Sequence, residues 1–176
     1  MERFLYIAIA ALVFAYVMVR AISIPLVHDE SVSFLNYAQT GDFLPFASIW
    51  DANNHFLSSL CGHIGYRLFG FHLLALRWAS VLAFPVYAWA AWRMGLLVQH
   101  RQARWPLWLA LLLCPFLLDF FSVFRGYGPA LACMLWSLYF AQRFLKDGSH
   151  AALSKSLVFM ATADGFMLAL VPLWGL

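Results

Sequence analysis

Residues 4–30 read FLYIAIAALVFAYVMVRAISIPLVHDE, and this stretch decides the fold class. From Phe4 to Val19 no side chain is charged, and beyond Arg20 the apolar run resumes as far as Val27. A hydrocarbon core of about 30 Å is crossed by about 20 apolar residues of helix. The run is therefore long enough to span, and it stops abruptly at His28-Asp29-Glu30. Ala21-Ile22-Ser23 has the small-x-small form of a signal-peptidase site. A basic residue directly before it and the length of the run favour an uncleaved anchor instead.

Working outward, four more hydrophobic runs follow: Leu73–Leu97, Pro106–Phe121, Tyr127–Leu145 and Leu153–Leu176. Pro106 suits the first turn of a helix, whereas Pro85, Pro115 and Pro172 fall inside runs and should kink them. With 64% hydrophobic and 11% charged residues, a water-soluble domain would lack the polar surface to cover itself. The expected fold is an all-α integral membrane protein of about five transmembrane helices. Residues 1–176 form a single transmembrane domain, with 28–70 as a large first extracytoplasmic loop. The basic residues form no continuous stripe, so no nucleic-acid partner is expected. Cys61, Cys114 and Cys133 follow neither a metal-site spacing nor a disulfide framework.

Orientation follows from Lys and Arg, which stay cytoplasmic. One set of ends carries Arg3, Arg93, Arg101, Arg104, Arg143, Lys146 and Lys155, and the other Arg20, Arg67, Arg77 and Arg125. Seven against four puts the N-terminus in the cytoplasm of a multi-pass cell (inner or plasma) membrane protein. Asp29, Glu30, Asp42, Asp51 and Asp119 then lie outside. Within the loop, Ser31 to Thr40 predicts a short helix ended by Gly41, with Asp29, Glu30 or Ser31 as its cap. Asn53 or Asn54 caps a second one, through Phe69, on which Leu57, Leu60, Cys61, Ile64 and Leu68 recur on one face. His55, Ser59, His63 and Tyr66 fall on the other, so the helix should lie flat at the interface.

Several polar groups stand where burial in lipid is costly. Asp29 or Glu30 reads either as a helix cap or as a partly desolvated general base, tuned by its neighbours. Asp51-Ala52-Asn53-Asn54-His55 reads as turn and cap chemistry or as a second polar cluster of the same site. Asp119 and Arg125 flank the next outer loop, where a salt bridge competes with a phosphate-binding arginine, and Arg20 admits the same two readings. Asp164, in the middle of the last run, points to a partner helix. Gly126-Tyr127-Gly128 repeats part of a potassium-channel filter, but the preceding residues do not fit. His28, His55, His63 and His72 lack the i, i+4 pairing that builds a metal cage on one helix.

The order of these features resembles the GT-C class of membrane glycosyltransferases, which take sugars from polyprenyl-phosphate carriers. The similarity is to the group related to protein O-mannosyltransferases and lipid A aminoarabinose transferases. It rests on Arg20 followed by His28-Asp29-Glu30, on Asn53-Asn54-His55-Phe56-Leu57 opening the juxtamembrane helices, and on Leu76-Arg77-Trp78-Ala79-Ser80 opening the second span. The outer loop Phe121-Ser122-Val123-Phe124-Arg125-Gly126-Tyr127-Gly128 completes it. Members of the class are usually several hundred residues long with about a dozen spans, so the chain looks like an N-terminal portion, with C-terminal helices missing.

The resemblance implies an inverting transfer of a sugar from a polyprenyl phosphate to an extracytoplasmic hydroxyl of a lipid, glycan or protein. Asp29, with Glu30 second, is the implied base. Arg20, His28, Asn54, His55, Asp119, Arg125 and Tyr127 are the implied substrate-binding residues. A polyprenyl phosphate leaves as a stabilised anion, so one carboxylate suffices where a glycosidase needs two. Positive charge near that phosphate comes from arginine, histidine or a divalent metal ion. The rival expectation is a transporter or carrier-lipid flippase fragment, in which the charges would line a pathway near the midplane.

Overall fold

The first apolar run becomes α1 (Glu2–Ser23), 22 residues and therefore about 33 Å long. It ends at Ile24, which is extended because the Pro25 ring excludes helical geometry at the residue before it. The computed structural model describes residues 1–44 and 54–167. In α1 only Tyr6, Val13, Val17 and Ala21 are buried, a narrow stripe, while Phe4, Leu5, Leu12 and Val19 face outward.

The segment after α1 opens with α2 (His28–Ser33), which starts three residues before the expected Ser31. The reason is Glu30, whose carboxylate reaches back from the third helical position to accept from the Val27 N–H at 3.0 Å. A π-helical turn over Phe34–Ala38 follows, and the chain leaves it at Gly41, with φ of +86° as the sequence predicted. Next comes α3 (Phe56–Phe69), with His55 as N-cap through its backbone alone. Asn54 does not cap it by side chain; its amide donates to the Phe43 carbonyl at 3.1 Å and its oxygen accepts from Ser59 Oγ at 3.3 Å. Asp51 and Asn53 lie outside the described residues.

The second run forms α4 (Leu73–Leu97) with the predicted ends, capped by His72 Nδ1 accepting from the Leu74 N–H. The run expected over Pro106–Phe121 is two helices, α5 (Arg101–Leu113) and α6 (Pro115–Phe120). They part at Cys114, which is extended because Pro115 follows it, and Pro115 takes the first turn of α6. Pro106 sits beyond the first turn, since α5 begins five residues earlier. The chain continues as α7 (Tyr127–Asp147), ended by Gly148 at φ +65°, and α8 (His150–Phe166). The remainder of the expected Leu153–Leu176 run lies outside the described residues.

Helix α4 is the centre of the molecule, packing against α1, α3, α5 and α7, while α8 packs along α7. Tyr6, Val17, Phe84, Tyr87, Trp108, Phe121 and Trp136 form the shared core. The long helices run alternately up and down, so the connections sort to two ends. One end is marked by the Glu2–Arg101 ion pair at 3.2 Å and the other by Arg20–Asp119 at 2.8 Å. Among the described residues every regular element is helical, and α1 and α4 are long and apolar enough to cross a membrane by length and composition.

Helix α3 belongs to the second end and packs by its small residues, Ser58, Ser59, Gly62 and Gly65, rather than by its leucines. A Cβ on Gly65 would stand 1.7 Å from the Ala75 carbonyl oxygen of α4, so only glycine permits that approach. Ile64, Leu68 and Phe69 face outward. Fourteen residues give about 21 Å, too short for a span.

Candidate functional site

Asp29 and Glu30 are neighbours in sequence with opposite fates. Glu30 is fully buried beside Arg77, which is fully buried as well. Arg77 Nε and Nη2 bind the two carboxylate oxygens at 2.8 and 2.6 Å. Each Glu30 oxygen also accepts from a backbone N–H, one from Phe124 and the other from Val27. The remaining Arg77 donors go to the carbonyls of Ala21, Ile24 and Pro25. Glu30 therefore ties the end of α1, the start of α4 and the 121–126 loop together. With no exposed surface and both oxygens engaged, the Glu30 carboxylate is out of reach of any external hydroxyl.

Asp29 projects from the first turn of α2 into solvent, its side chain 51% exposed, and forms an ion pair with Arg125, which is only 11% exposed. Arg125 is held from several sides. Its Nη2 donates to Tyr127 Oη at 3.0 Å, its guanidinium lies 5.1 Å from the Tyr127 ring centre, and its carbonyl accepts from Ser80 Oγ at 3.1 Å. The Tyr127 ring meets Phe120 and, edge-on at 5.2 Å, His55. His55 is buried, and burial first and the Arg125 charge second lower its pKa from 6.5 to about 4, so it is neutral at physiological pH. His55 Nε2 and Arg125 Nε are both buried without a hydrogen-bond partner among the described residues.

Four expected residues thus gather in one cluster: Asp29, His55, Arg125 and Tyr127. Asn54 adjoins it as a loop clamp, and His28 is exposed beside Asp29. Arg20 and Asp119 pair with each other at the same end, with Arg20 also donating to Tyr16 Oη at 3.0 Å. The ion pair that the sequence allowed between Asp119 and Arg125 does not form, because each has a partner from the α1–α2 region. Asp164 is buried in the last turn of α8. That turn lies at the cluster's end of the molecule, since a Cβ on Gly126 would meet the Phe166 carbonyl at 1.8 Å and the His55 side chain at 3.2 Å.

Arg77 is the site residue absent from the sequence-based expectations; it entered only in the count of basic residues and as part of a span-opening pattern. An arginine five positions into a hydrophobic run demands a counter-charge, and that signal was available. Among the described residues no three His, Cys, Asp or Glu side chains gather as a cation site. Asp29 and Asp119 each face a guanidinium instead. No family model matches the chain, and no curated protein and no solved structure shows significant similarity to it.

Proposed function

We propose that the chain is the donor-site region of a multi-pass membrane glycosyltransferase of the GT-C kind, using a polyprenyl-phosphate sugar. The observation that carries this reading is the meeting of Asp29 and Arg125, 96 residues apart, at one end of the helix bundle. One is an exposed carboxylate and the other a largely buried cation with its Nε unengaged. An acceptor hydroxyl attacks the anomeric carbon as Asp29 takes its proton, and the carbon–oxygen bond to phosphate breaks. The electron pair leaves with the phosphate, whose charge Arg125 receives. Before this, the donor phosphate competes with Asp29 for Arg125, and its arrival releases the carboxylate to act as base. The tail of such a donor belongs in lipid and its phosphate at the membrane's edge, which suits a site at the end of the long helices.

The gathering of polar groups at one end, Asp164 included, is the arrangement of an interfacial reaction rather than of a midplane pathway. The test is transfer of labelled sugar from a polyprenyl phosphate in membranes containing the protein. Asp29→Asn should lower kcat by about 10²-fold or more with little change in donor KM, whereas Arg125→Ala should chiefly raise donor KM. Near-normal turnover in Asp29→Asn removes the base assignment, and absence of transfer by the unsubstituted protein returns the transport reading.

A further inference from the structure

A cavity lies at the opposite end from Asp29. It measures about 850 Å³, opens between α1, α4 and α7, and is walled by Tyr6, Phe14, Phe84, Trp89 and Trp92. Its lining runs along α1 from Arg3 to Phe14 and along α4 from Phe84 to Leu97, which is about 16 to 20 Å of helix. Half of a hydrocarbon core of about 30 Å is about 15 Å. The groove is therefore about as deep as one leaflet.

Its mouth is basic. Arg3, Arg93 and Arg143 line it from three different helices. Arg93 donates to the Tyr139 hydroxyl and lies 5.0 Å from that ring's centre, and Arg143 lines the cavity beside the same tyrosine. Two guanidiniums thus share one mouth, where like charges repel unless an anion lies between them. The carboxylate that meets this group is Asp147, on Arg143 at 2.7 Å. An adjoining cleft of about 410 Å³ shares Trp89, Arg93, Tyr139 and Arg143 and adds a further cation, Lys155.

We infer that this groove binds one anionic phospholipid of the leaflet opposite Asp29, with an acyl chain along the aromatic wall and the headgroup phosphate between Arg93 and Arg143. Guanidinium matches phosphate oxygens in a bidentate way, and the surplus of cations over carboxylates selects for a net negative headgroup. The apolar face of a partner helix would cover the wall but bring no counter-charge to Arg3 and Arg93, so charge complementarity favours the lipid. The inference rests on α1 and α4 crossing a membrane, and not on the transferase chemistry.

The test uses the purified protein in a neutral detergent, with binding read by native mass spectrometry and thermal protection. Dioleoyl phosphatidylglycerol should bind about tenfold or more tightly than dioleoyl phosphatidylcholine. Arg93→Gln with Arg143→Gln should abolish that preference, and Ala11→Trp, which fills the groove and spares the arginines, should weaken both lipids. Inorganic phosphate should give no protection. Equal binding of the two lipids, a preference that survives the double substitution, or protection by inorganic phosphate alone would each overturn the site. Release of the protein from membranes by an alkaline wash would overturn it by a separate route, through the membrane reading.

Discussion

Replacing Arg77 by methionine removes a guanidinium whose five N–H groups all have acceptors: two on Glu30 and one each on the Ala21, Ile24 and Pro25 carbonyls. Methionine keeps much of the volume, so the loss is chiefly electrostatic. It leaves Glu30 buried with two backbone N–H donors and no counter-charge, a situation that costs about 3–5 kcal/mol. The Ala21 carbonyl lies at a fully buried residue, while those of Ile24 and Pro25 are near enough to the surface for water to serve them. At about 2–4 °C per kcal/mol for a chain of this size, the midpoint should fall by roughly 10 °C. Arg77→Lys keeps the charge but has three donors, so at least two acceptors are stranded and about 2 kcal/mol is lost. The assay is thermal or denaturant unfolding in detergent, completed as a double-mutant cycle with Glu30→Gln. The double variant should be less destabilised than the sum of the singles by about 2 kcal/mol or more. An Arg77→Met loss under about 1 kcal/mol, or strict additivity in the cycle, would refute the reasoning.

His55 should make stability depend on pH. Its folded pKa is depressed, so its contribution is complete above about 6.5 and is lost as pH falls through about 4, by roughly 3 kcal/mol in all. His55→Gln should flatten that slope in unfolding curves measured across this window. Gly65→Ala should destabilise by about 2 kcal/mol or more, because its Cβ would collide with the Ala75 backbone rather than with a movable side chain, and the same unfolding assay reads it. Single cysteines replacing Gln39 and Gln102 test the alternation of helix directions in sealed cells lacking the native cysteines. An impermeant thiol reagent should label the Gln39 position from outside and spare the other; labelling only at Gln102 inverts the orientation.

The sequence by itself determined the helical class and most of the punctuation. Leu73–Leu97 was legible to the residue at both ends, and the start at Tyr127 and the stop at Gly41 were equally plain. Apolar run length, proline and glycine are local signals, and local geometry answers to them. The break at Cys114 was less legible, since proline inside a hydrophobic run either kinks a helix or ends it, and neighbouring helices decide which. The sequence also named Asp29, His55, Arg125 and Tyr127 without being able to say that they touch. It treated Asp29 and Glu30 as near equivalents, yet a single residue step along a helix rotates the side chain by about 100°. Here that rotation turned Glu30 inward onto Arg77 and left Asp29 facing Arg125. Which arginine met which acid was settled by packing alone. Ion pairing in an interior is selected by desolvation and by the shape of the surrounding elements, and α3 approaches the Phe124 ring through Gly62 and α4 through Gly65, whose importance no pattern along the chain declares.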